Sequence, residues 1–257
     1  MKLINNDCLK VLPTIPENSI DLIITSPPYD NIRDYNDSST WNFDIFKNIA
    51  NELKRLLKDG GLIVWIVNDA TLKGSETGTS FRQALYFKEI GLNLHDTMIW
   101  QKETFTAVGS IKTRYAPVFE YMFILSKDKP KTFNPIKDRK NIFANHKIHG
   151  TVRQKNGQTK PVSSNGKKIN EYGIRFNIWK TNSEKSNKTN HPAVFPIKLV
   201  QDHIKTWSNE NDLILDCFMG SGTTGLACKN LNRKFIGIEI DQEYFNIAKN
   251  RIESTLI

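Results

Sequence analysis

The chain has 257 residues, of which 39% are hydrophobic and 25% are charged, values typical of a soluble globular protein. No run of 18 apolar residues occurs and the first ten residues hold charges and amides, so we expect neither a transmembrane helix nor a signal peptide. Three cysteines without paired metal spacing argue against a disulfide framework and a structural zinc site, and favour a cytoplasmic location.

The first half of the chain alternates between predicted strands and helices. Residues 19–25, SIDLIIT, form an apolar strand that a proline pair ends. A helix is predicted over 44–58, with Asp44 as its N-cap and with Gly60 and Gly61 as its stop. Further elements follow, namely a strand at 62–67, a helix at 80–90, and strands at 95–102 and 119–127. This alternation predicts a mostly parallel sheet with helices on both faces.

The middle of the chain is strongly basic and lacks a regular pattern. Residues 126–190 hold 16 Lys and Arg against 4 Asp and Glu, whereas the remainder holds 20 against 23. Stretches such as 154–168 are rich in Gly, Asn, Ser and Lys, which predicts loop. Aromatic residues interleave with the cations, namely Phe133, Phe143, Tyr172, Phe176 and Trp179. The combination suits a polyanion with stackable bases, and a solvated basic face is the alternative.

The last part of the chain returns to regular elements, namely a helix opened by Pro196, a strand at 212–218, a glycine loop, a helix, a strand at 234–240 and a final helix from Gln242. In the loop, Gly220, Gly222 and Gly225 fit the pattern G-x-G-x-x-G, and Glu239 follows Gly220 by 19 residues. This context predicts a nucleotide-binding β-α-β unit whose acid binds ribose hydroxyls. Glycines that serve packing alone are the alternative.

The predicted nucleotide is S-adenosylmethionine. No Lys-Ser or Lys-Thr follows the glycines, which excludes a Walker loop. Only 32 residues follow Gly225, too few for the second half of a dinucleotide site. Asp216, at the end of the preceding strand, suits the ammonium of a methionine group better than a pyrophosphate.

Two motifs occur in this order along the chain: TSPPY at 25–29 and DCFMGSGTTG at 216–225. With these motifs, and with the blocks GGLIVWIV and HPAVFPIKLVQDHI, nearly the whole chain resembles the β class of DNA amino-methyltransferases of restriction-modification type. The resemblance implies a Rossmann-like fold with a seven-stranded sheet, parallel but for one strand, in circularly permuted order. It divides the chain into a catalytic half at 1–126, an irregular target-recognition insert at 127–190 and a cofactor half at 191–257.

The resemblance also implies roles around the cofactor. Asp7 is expected near the adenine and Glu239 at the ribose, while His191 and Pro192 belong to a segment that closes over the methionine end. The glycine loop and its strand supply the rest of the expected cofactor pocket: Asp216, Phe218, Gly220, Ser221, Gly222 and Thr223. No metal is expected.

The catalytic residues are predicted to be Ser26, Pro27, Pro28 and Tyr29. An exocyclic amino group is a poor nucleophile because its lone pair is delocalised into the base. The Ser26 side-chain oxygen and the Pro27 carbonyl can accept from its two N–H groups, in a turn that the prolines keep stiff. Tyr29 can stack on the flipped base. Methylation of a ring carbon needs a cysteine nucleophile instead, and we interpret all three cysteines as small buried hydrophobes: Cys8, Cys217 and Cys228.

Double-stranded DNA is the expected partner, and a homodimer and a cognate restriction endonuclease are further implied partners, with no membrane. Arg33, Arg139, Arg153 and Arg175 are the candidate DNA contacts, with solvent or phosphate contact as the alternative to base reading. Serine before Pro-Pro-Tyr resembles the cytosine-directed members of the family more than the adenine-directed ones, which implies cytosine N4 as the target, with adenine N6 as the alternative. Two other classes stay open: a non-catalytic nucleic-acid-binding protein on the same fold, and an RNA or protein methyltransferase.

Overall fold

A computed structural model of the chain describes residues 1–28, 41–102, 113–181 and 196–254. The chain divides into two compact units, of which unit 1 is Met1–Asn134 with Asn177–Ile257 and unit 2 is Pro135–Phe176. Unit 2 falls within the insert expected at 127–190 but is shorter, because the flanks of that segment belong to unit 1. The functional division of the chain into the three segments 1–126, 127–190 and 191–257 remains a prediction.

Unit 1 is built on one eight-stranded sheet. Its strands in chain order are β1 Lys2–Asn5, β2 Ile20–Thr25, β3 Leu57–Val67, β4 Asn93–Gln101, β5 Phe119–Ser126, β6 Ile178–Lys180, β7 Leu213–Asp216 and β8 Lys234–Glu239. Across the sheet they lie in the order β1-β8-β7-β2-β3-β5-β4-β6. Strand β5 is antiparallel to both of its neighbours, and every other neighbouring pair is parallel.

This sheet confirms the predicted Rossmann-like fold with one reversed strand and permuted order. The described sheet has eight strands where seven were expected. The additional strand is β6, which lies inside the segment predicted as loop and pairs with β4 through Ile178↔Ile99, Trp179↔Trp100 and Lys180↔Gln101. Three residues are too few for a periodic signal, so only pairing with β4 reveals this strand.

Six α-helices are described: α1 Cys8–Val11, α2 Phe43–Leu56, α3 Thr79–Glu89, α4 Ile197–Trp207, α5 Thr223–Asn230 and α6 Gln242–Ser254, with a 3-10 turn at Leu12–Thr14. Helix α2 begins one residue earlier than predicted. Its N-cap is Asn42, whose side-chain oxygen accepts from the amides of Asp44 and Ile45 at 3.0 Å each, so the expected Asp44 cap is wrong. None of the described helices has the length and apolar run needed to cross a bilayer.

The two glycines expected to stop α2 lie instead within β3. The helix ends at Leu56, and the next residue, Leu57, is already extended. Gly60 has φ +76°, and its N–H donates to the Lys127 carbonyl, while a Cβ on Gly61 would lie 2.9 Å from the Lys58 carbonyl. These glycines therefore allow a close backbone approach at the start of the strand.

The remaining short ladders are antiparallel. Unit 1 has Thr71–Leu72 with Ser75–Glu76, and unit 2 has Arg139–Lys140 with Tyr172–Gly173 and Thr151–Arg153 with Thr159–Pro161. The segment that the sequence predicts as loop therefore contains short pairings, held by backbone hydrogen bonds rather than by an apolar pattern.

The core lies around the central strands of the large sheet. Ile23, Phe46, Trp65 and Phe87 are fully buried, and the rings of Trp65 and Phe87 meet edge to face with centroids 5.2 Å apart. The Trp65 indole N–H donates to Gln83 Oε1 at 2.8 Å, so the buried polar group is satisfied. Close packing on both faces fixes β2 and β3 in the centre of the sheet.

Candidate active site

The two sequence motifs meet at one edge of the large sheet. Strands β2 and β7 are parallel neighbours through Ile214↔Leu22 and Leu215↔Ile23, so their carboxyl ends lie side by side. The Thr25 hydroxyl, at the end of β2, donates to Asp216 Oδ1 at 2.7 Å. Open α/β sheets bind ligands at this edge, outside the carboxyl ends of the strands.

The carboxylate of Asp216 is the centre of this junction. Its side chain is 3% exposed, and besides Thr25 it accepts from Thr224 Oγ1 at 2.7 Å and from the Phe218 amide at 3.1 Å. Burial raises the pKa of Asp216 to about 6, and the three hydrogen bonds oppose that rise. The carboxylate therefore ties β2, the glycine loop and α5 together, while its contact with a cofactor ammonium remains a prediction.

Glu239, at the end of β8, holds the glycine loop from the other side. Its Oε2 accepts from the Gly220 amide at 2.8 Å, and its Oε1 accepts from the Asp241 amide at 2.9 Å. Burial raises the pKa of Glu239, and the two backbone hydrogen bonds oppose the rise. Each carboxylate oxygen has a second lone pair, so the same side chain can still accept from a vicinal diol.

Asp7 lies next to this edge because β1 pairs with β8, with Asn5 opposite Glu239. The Asn6 amide donates to the Glu239 carbonyl at 3.0 Å, and the half-buried Asp7 caps α1 by accepting from the Leu9 amide at 2.9 Å. The structure thus places Asp7 and Glu239 at neighbouring strand ends, and their adenine and ribose roles remain predictions.

The glycines of the loop serve packing as well as loop conformation. Gly220 and Gly222 have φ +51° and +82°, in the left-handed region that favours glycine. A Cβ on Gly222 would lie 2.8 Å from the Cβ of Ala248, and one on Gly225 would lie against Ile252 Cδ1. Two of the three glycines therefore let α6 approach the loop closely, as in the packing alternative.

An arginine on the last helix fixes the same loop and was missed from the sequence. Arg251 Nη1 donates to the Ser221 carbonyl at 2.6 Å, to Ser221 Oγ at 3.0 Å and to Thr223 Oγ1 at 3.5 Å. Ser221 and Thr223 are both buried. No motif marks Arg251, because its role depends on how α6 folds back over the glycine loop.

An aromatic contact borders the loop. The rings of Trp41 and Phe218 meet edge to face with centroids 5.6 Å apart, and both side chains are half-buried. Trp41 carries no motif, although a tryptophan just before an amphipathic helix is a reason to examine it. This pair presents an apolar wall at the start of the glycine loop, of the kind that an adenine ring or a methionine chain can contact.

The other predicted site residues fall into three groups. Ser26 and Pro28 are half-buried and Pro27 is buried, directly after β2. Outside the described residues lie Tyr29, Arg33, His191 and Pro192. The remaining three lie in unit 2: Arg139, Arg153 and Arg175.

Within unit 2, two of these arginines have internal partners. Arg175 forms an ion pair with Asp138, and the Arg139 guanidinium lies 4.4 Å from the centre of the Phe176 ring. Arg153 is on an exposed strand. Their DNA roles remain predictions.

The cysteines fit their interpretation as hydrophobes. All three are buried, and burial raises the pKa of each thiol: Cys8, Cys217 and Cys228. A thiol with a raised pKa is a weak nucleophile, which argues against ring-carbon methylation. Among the described residues no group of three His, Cys, Asp or Glu side chains is placed to hold a metal ion.

Comparison with known proteins supports the family that the two sequence motifs resemble. The family profile described as "DNA methylase" (N6_N4_Mtase) matches residues 20–250. An orphan methyltransferase of Bacillus amyloliquefaciens, M.BamHII, is 49% identical over 251 residues, covering 95% of this chain and 92% of the relative.

Two solved structures resemble the chain along its length. The M1.HpyAVI–SAM complex has a TM-score of 0.66 at 28% identity, with 98% of each chain covered. The cytosine-N4-specific PvuII DNA methyltransferase has a TM-score of 0.73 at 24% identity, covering 99% of this chain and 87% of that one, and supports the fold. The chain therefore belongs to the N6_N4_Mtase family of DNA methylases, whose amino-methyltransferases take their methyl group from S-adenosylmethionine.

Proposed function

We propose that this chain methylates the exocyclic amino group of a base flipped out of double-stranded DNA, with cytosine N4 as the target. The observation that carries the proposal is the junction of the two motifs. Thr25 and Asp216 are hydrogen-bonded at the ends of neighbouring strands. Ser26 and Pro27, which follow Thr25, and the glycine loop, which follows Asp216, therefore leave the sheet side by side. A direct transfer between two bound molecules requires that both are held at one place. We call residues 26–28 the acceptor turn, and this turn and the glycine loop lie at the same edge of the sheet.

The acceptor turn prepares the amino group. Ser26 Oγ and the Pro27 carbonyl accept hydrogen bonds from the two N–H groups, which draws the nitrogen lone pair out of conjugation. Because Pro27 is buried and follows a packed strand, these acceptors are preorganised. The base is proposed to stack on Tyr29, which lies outside the described residues.

The glycine loop is proposed to hold the methyl donor. When bound, S-adenosylmethionine supplies an electrophilic methyl group on its sulfonium. Glu239 is proposed to accept from the ribose hydroxyls with its remaining lone pairs, and Asp7, at the neighbouring strand end, to face the adenine. Phe218 and Trp41 provide the apolar wall. These residues fit the cofactor because the acids, the loop amides and the rings lie around one strand edge.

The choice of base rests on Ser26. A serine before Pro-Pro-Tyr resembles cytosine-directed members of the family more than adenine-directed ones. Adenine N6 remains the alternative, because the same pair of acceptors can hold either amino group.

The proposed partners follow from charge and family. The basic segment 127–190 is proposed to contact the duplex, and a cognate endonuclease and a homodimer are proposed as further partners. A cytoplasmic location also remains a prediction.

Methyl transfer to defined DNA tests the proposal. The purified chain is incubated with unmethylated duplex DNA and isotopically labelled S-adenosylmethionine, and the digested nucleosides are analysed by mass spectrometry. We expect labelled N4-methylcytosine. Labelled N6-methyladenine alone would overturn the choice of base, and label entering RNA but not duplex DNA would overturn the substrate class.

Two variants connect the result to the proposed turn. Pro27→Ala and Tyr29→Ala should lower the rate of methyl transfer while leaving the dissociation constant of the cofactor within about threefold. Wild-type rates in both variants would contradict the role of the turn.

A further inference from the structure

One hairpin of unit 2 is built without a core. Thr151–Arg153 pairs with Thr159–Pro161, and all six residues are exposed. The hairpin is closed at its base by the hydrogen bond from the Val162 amide to the Gly150 carbonyl, at 3.0 Å.

The tip of the hairpin is ordered by turn chemistry. The Gln154 amide donates to the Gln158 carbonyl at 2.7 Å, and the Gly157 amide donates to the Gln154 carbonyl at 3.0 Å. Gly157 has φ +83°, and Asn156 Oδ1 accepts from the Gln158 amide at 3.1 Å. An exposed two-stranded ribbon gains little stability from burial, so this shape is kept without help from a core.

The three cations of the ribbon lie at three different places, namely its two faces and its tip. Residues 150–162 contain Arg153, Lys155 and Lys160 and no acidic residue. Directly opposed residues of a ladder share a face, and here Arg153 opposes Thr159 while Lys160 opposes Val152. Arg153 and Lys160 therefore lie on opposite faces of the ribbon, and Lys155 lies at its tip.

The dimensions of the ribbon match one groove of a DNA duplex. At ~3.3 Å per residue, the arm from Gly150 to Gln154, where the turn begins, is roughly 13 Å long, more than the ~8.5 Å depth of the major groove. The major groove, ~12 Å wide, admits a two-stranded ribbon as it is, whereas the minor groove, ~6 Å wide, would first have to be opened at a cost in DNA deformation. Each wall of the groove carries a row of phosphates, which suits a ribbon with a cation on each face.

We propose that the ribbon 150–162 enters the major groove of the DNA substrate tip first, with Arg153 and Lys160 on the phosphates of opposite walls and Lys155 at the base edges. This inference rests on the proposed function, since it assigns part of the substrate contact to one element. Arg139 and Arg175 have partners inside unit 2, so Arg153 is the only one of the three candidate arginines that this inference uses.

A charge-matched pair of variants tests the ribbon. The ribbon variant combines Arg153→Ala, Lys155→Ala and Lys160→Ala, and the control combines Lys88→Ala, Lys205→Ala and Lys249→Ala, three exposed cations on helices of unit 1 outside the basic segment 127–190. Both variants remove three positive charges, so the net charge of the chain falls equally. Binding of a duplex that carries the wild-type methylation site is measured by fluorescence anisotropy over a salt series, with cofactor binding and thermal unfolding as folding checks.

We expect the ribbon variant to bind the duplex at least tenfold more weakly than wild type, with the slope of log K against log salt reduced by about 2 because two phosphate contacts are lost. The control should stay within about threefold. Equal losses in the two variants would overturn the proposal, and so would a ribbon variant that binds DNA normally but loses self-association. Failure of the wild type to methylate any DNA would contradict the proposed function, and this is measured separately.

Discussion

The hydroxyl of Thr25 and the carboxylate of Asp216 are hydrogen-bonded at 2.7 Å, although 191 positions of sequence separate the two residues. Both side chains are buried, with exposures of 0% and 3%. Thr25 directly precedes the proposed acceptor turn, and Asp216 directly precedes the glycine loop. The bond therefore sets the distance between the two places where the reacting molecules are proposed to bind, and it gives Thr25 a positioning role that the sequence motif does not reveal.

Thr25→Val should separate this hydrogen bond from packing. Valine keeps the shape of threonine but leaves Asp216 Oδ1 with one donor fewer, which should lower the free energy of unfolding by about 1–3 kcal/mol. Because the lost bond favours the charged carboxylate, the pKa of Asp216 should also rise further. Urea unfolding at a series of pH values measures both effects.

The control for this prediction is Thr25→Ser, which keeps the hydroxyl and removes one methyl group. It should lose some stability from the missing methyl group but leave the pH dependence of unfolding as in wild type. If Ser and Val variants shift the pH dependence equally, the hydrogen bond does not set the ionisation of Asp216.

The buried acid also predicts the pH dependence of wild-type stability. The pKa of Asp216 is about 6 in the folded chain and 3.8 ordinarily, so the folded state binds this proton more tightly than the unfolded state. The free energy of unfolding should therefore fall as the pH rises from about 4 to about 6, with Asp216 contributing up to about 3 kcal/mol. Asp216→Asn removes one titrating group and should reduce this slope, leaving the part that comes from Glu239, whose pKa burial also raises, whereas Glu210→Gln, at an exposed position, should not change it. An unchanged slope in the Asn variant would show that another group titrates.

Gly225→Ala should destabilise the fold through one specific contact. The new Cβ would lie against Ile252 Cδ1 and 2.8 Å from Phe235 Cε1, so we expect a loss of about 1–3 kcal/mol. Ile252→Val removes the clashing Cδ1 atom. In a double-mutant cycle measured by urea unfolding, the double variant should lose less stability than the sum of the two single losses. Additive losses would place the clash elsewhere.

Arg251→Ala should weaken cofactor binding. The guanidinium holds Ser221 and Thr223, so its loss should free the glycine loop and raise the dissociation constant of S-adenosylmethionine about tenfold, measured by isothermal titration calorimetry. Lys249→Ala removes an equal charge from an exposed position of the same helix and should leave the constant nearly unchanged. Equal effects of the two substitutions would indicate general electrostatics rather than support of the loop.

The sequence reveals those parts of the site that local chemistry determines. A strand, a glycine loop and an acid 19 residues after Gly220 predict that these residues belong to one β-α-β unit. The structure adds a contact that was not predicted, in which the Gly220 amide donates to Glu239, while the ribose role of Glu239 remains a prediction. Arg251 could not be found in this way, since its contacts depend on helix packing. At the start of α2, Asn42 and Asp44 are both good capping residues, and only the observed backbone shows that Asn42 takes the position.

The strand order has a consequence for synthesis of the chain. Strands β7 and β8 come late in the sequence but lie between β1 and β2 in the sheet. A ribosome therefore releases β1, β2 and the proposed acceptor turn long before β8, the neighbour of β1, and β7, one of the two neighbours of β2, have been made. We expect that the proposed methyl transfer cannot begin before β7, the glycine loop and β8 have all been synthesised.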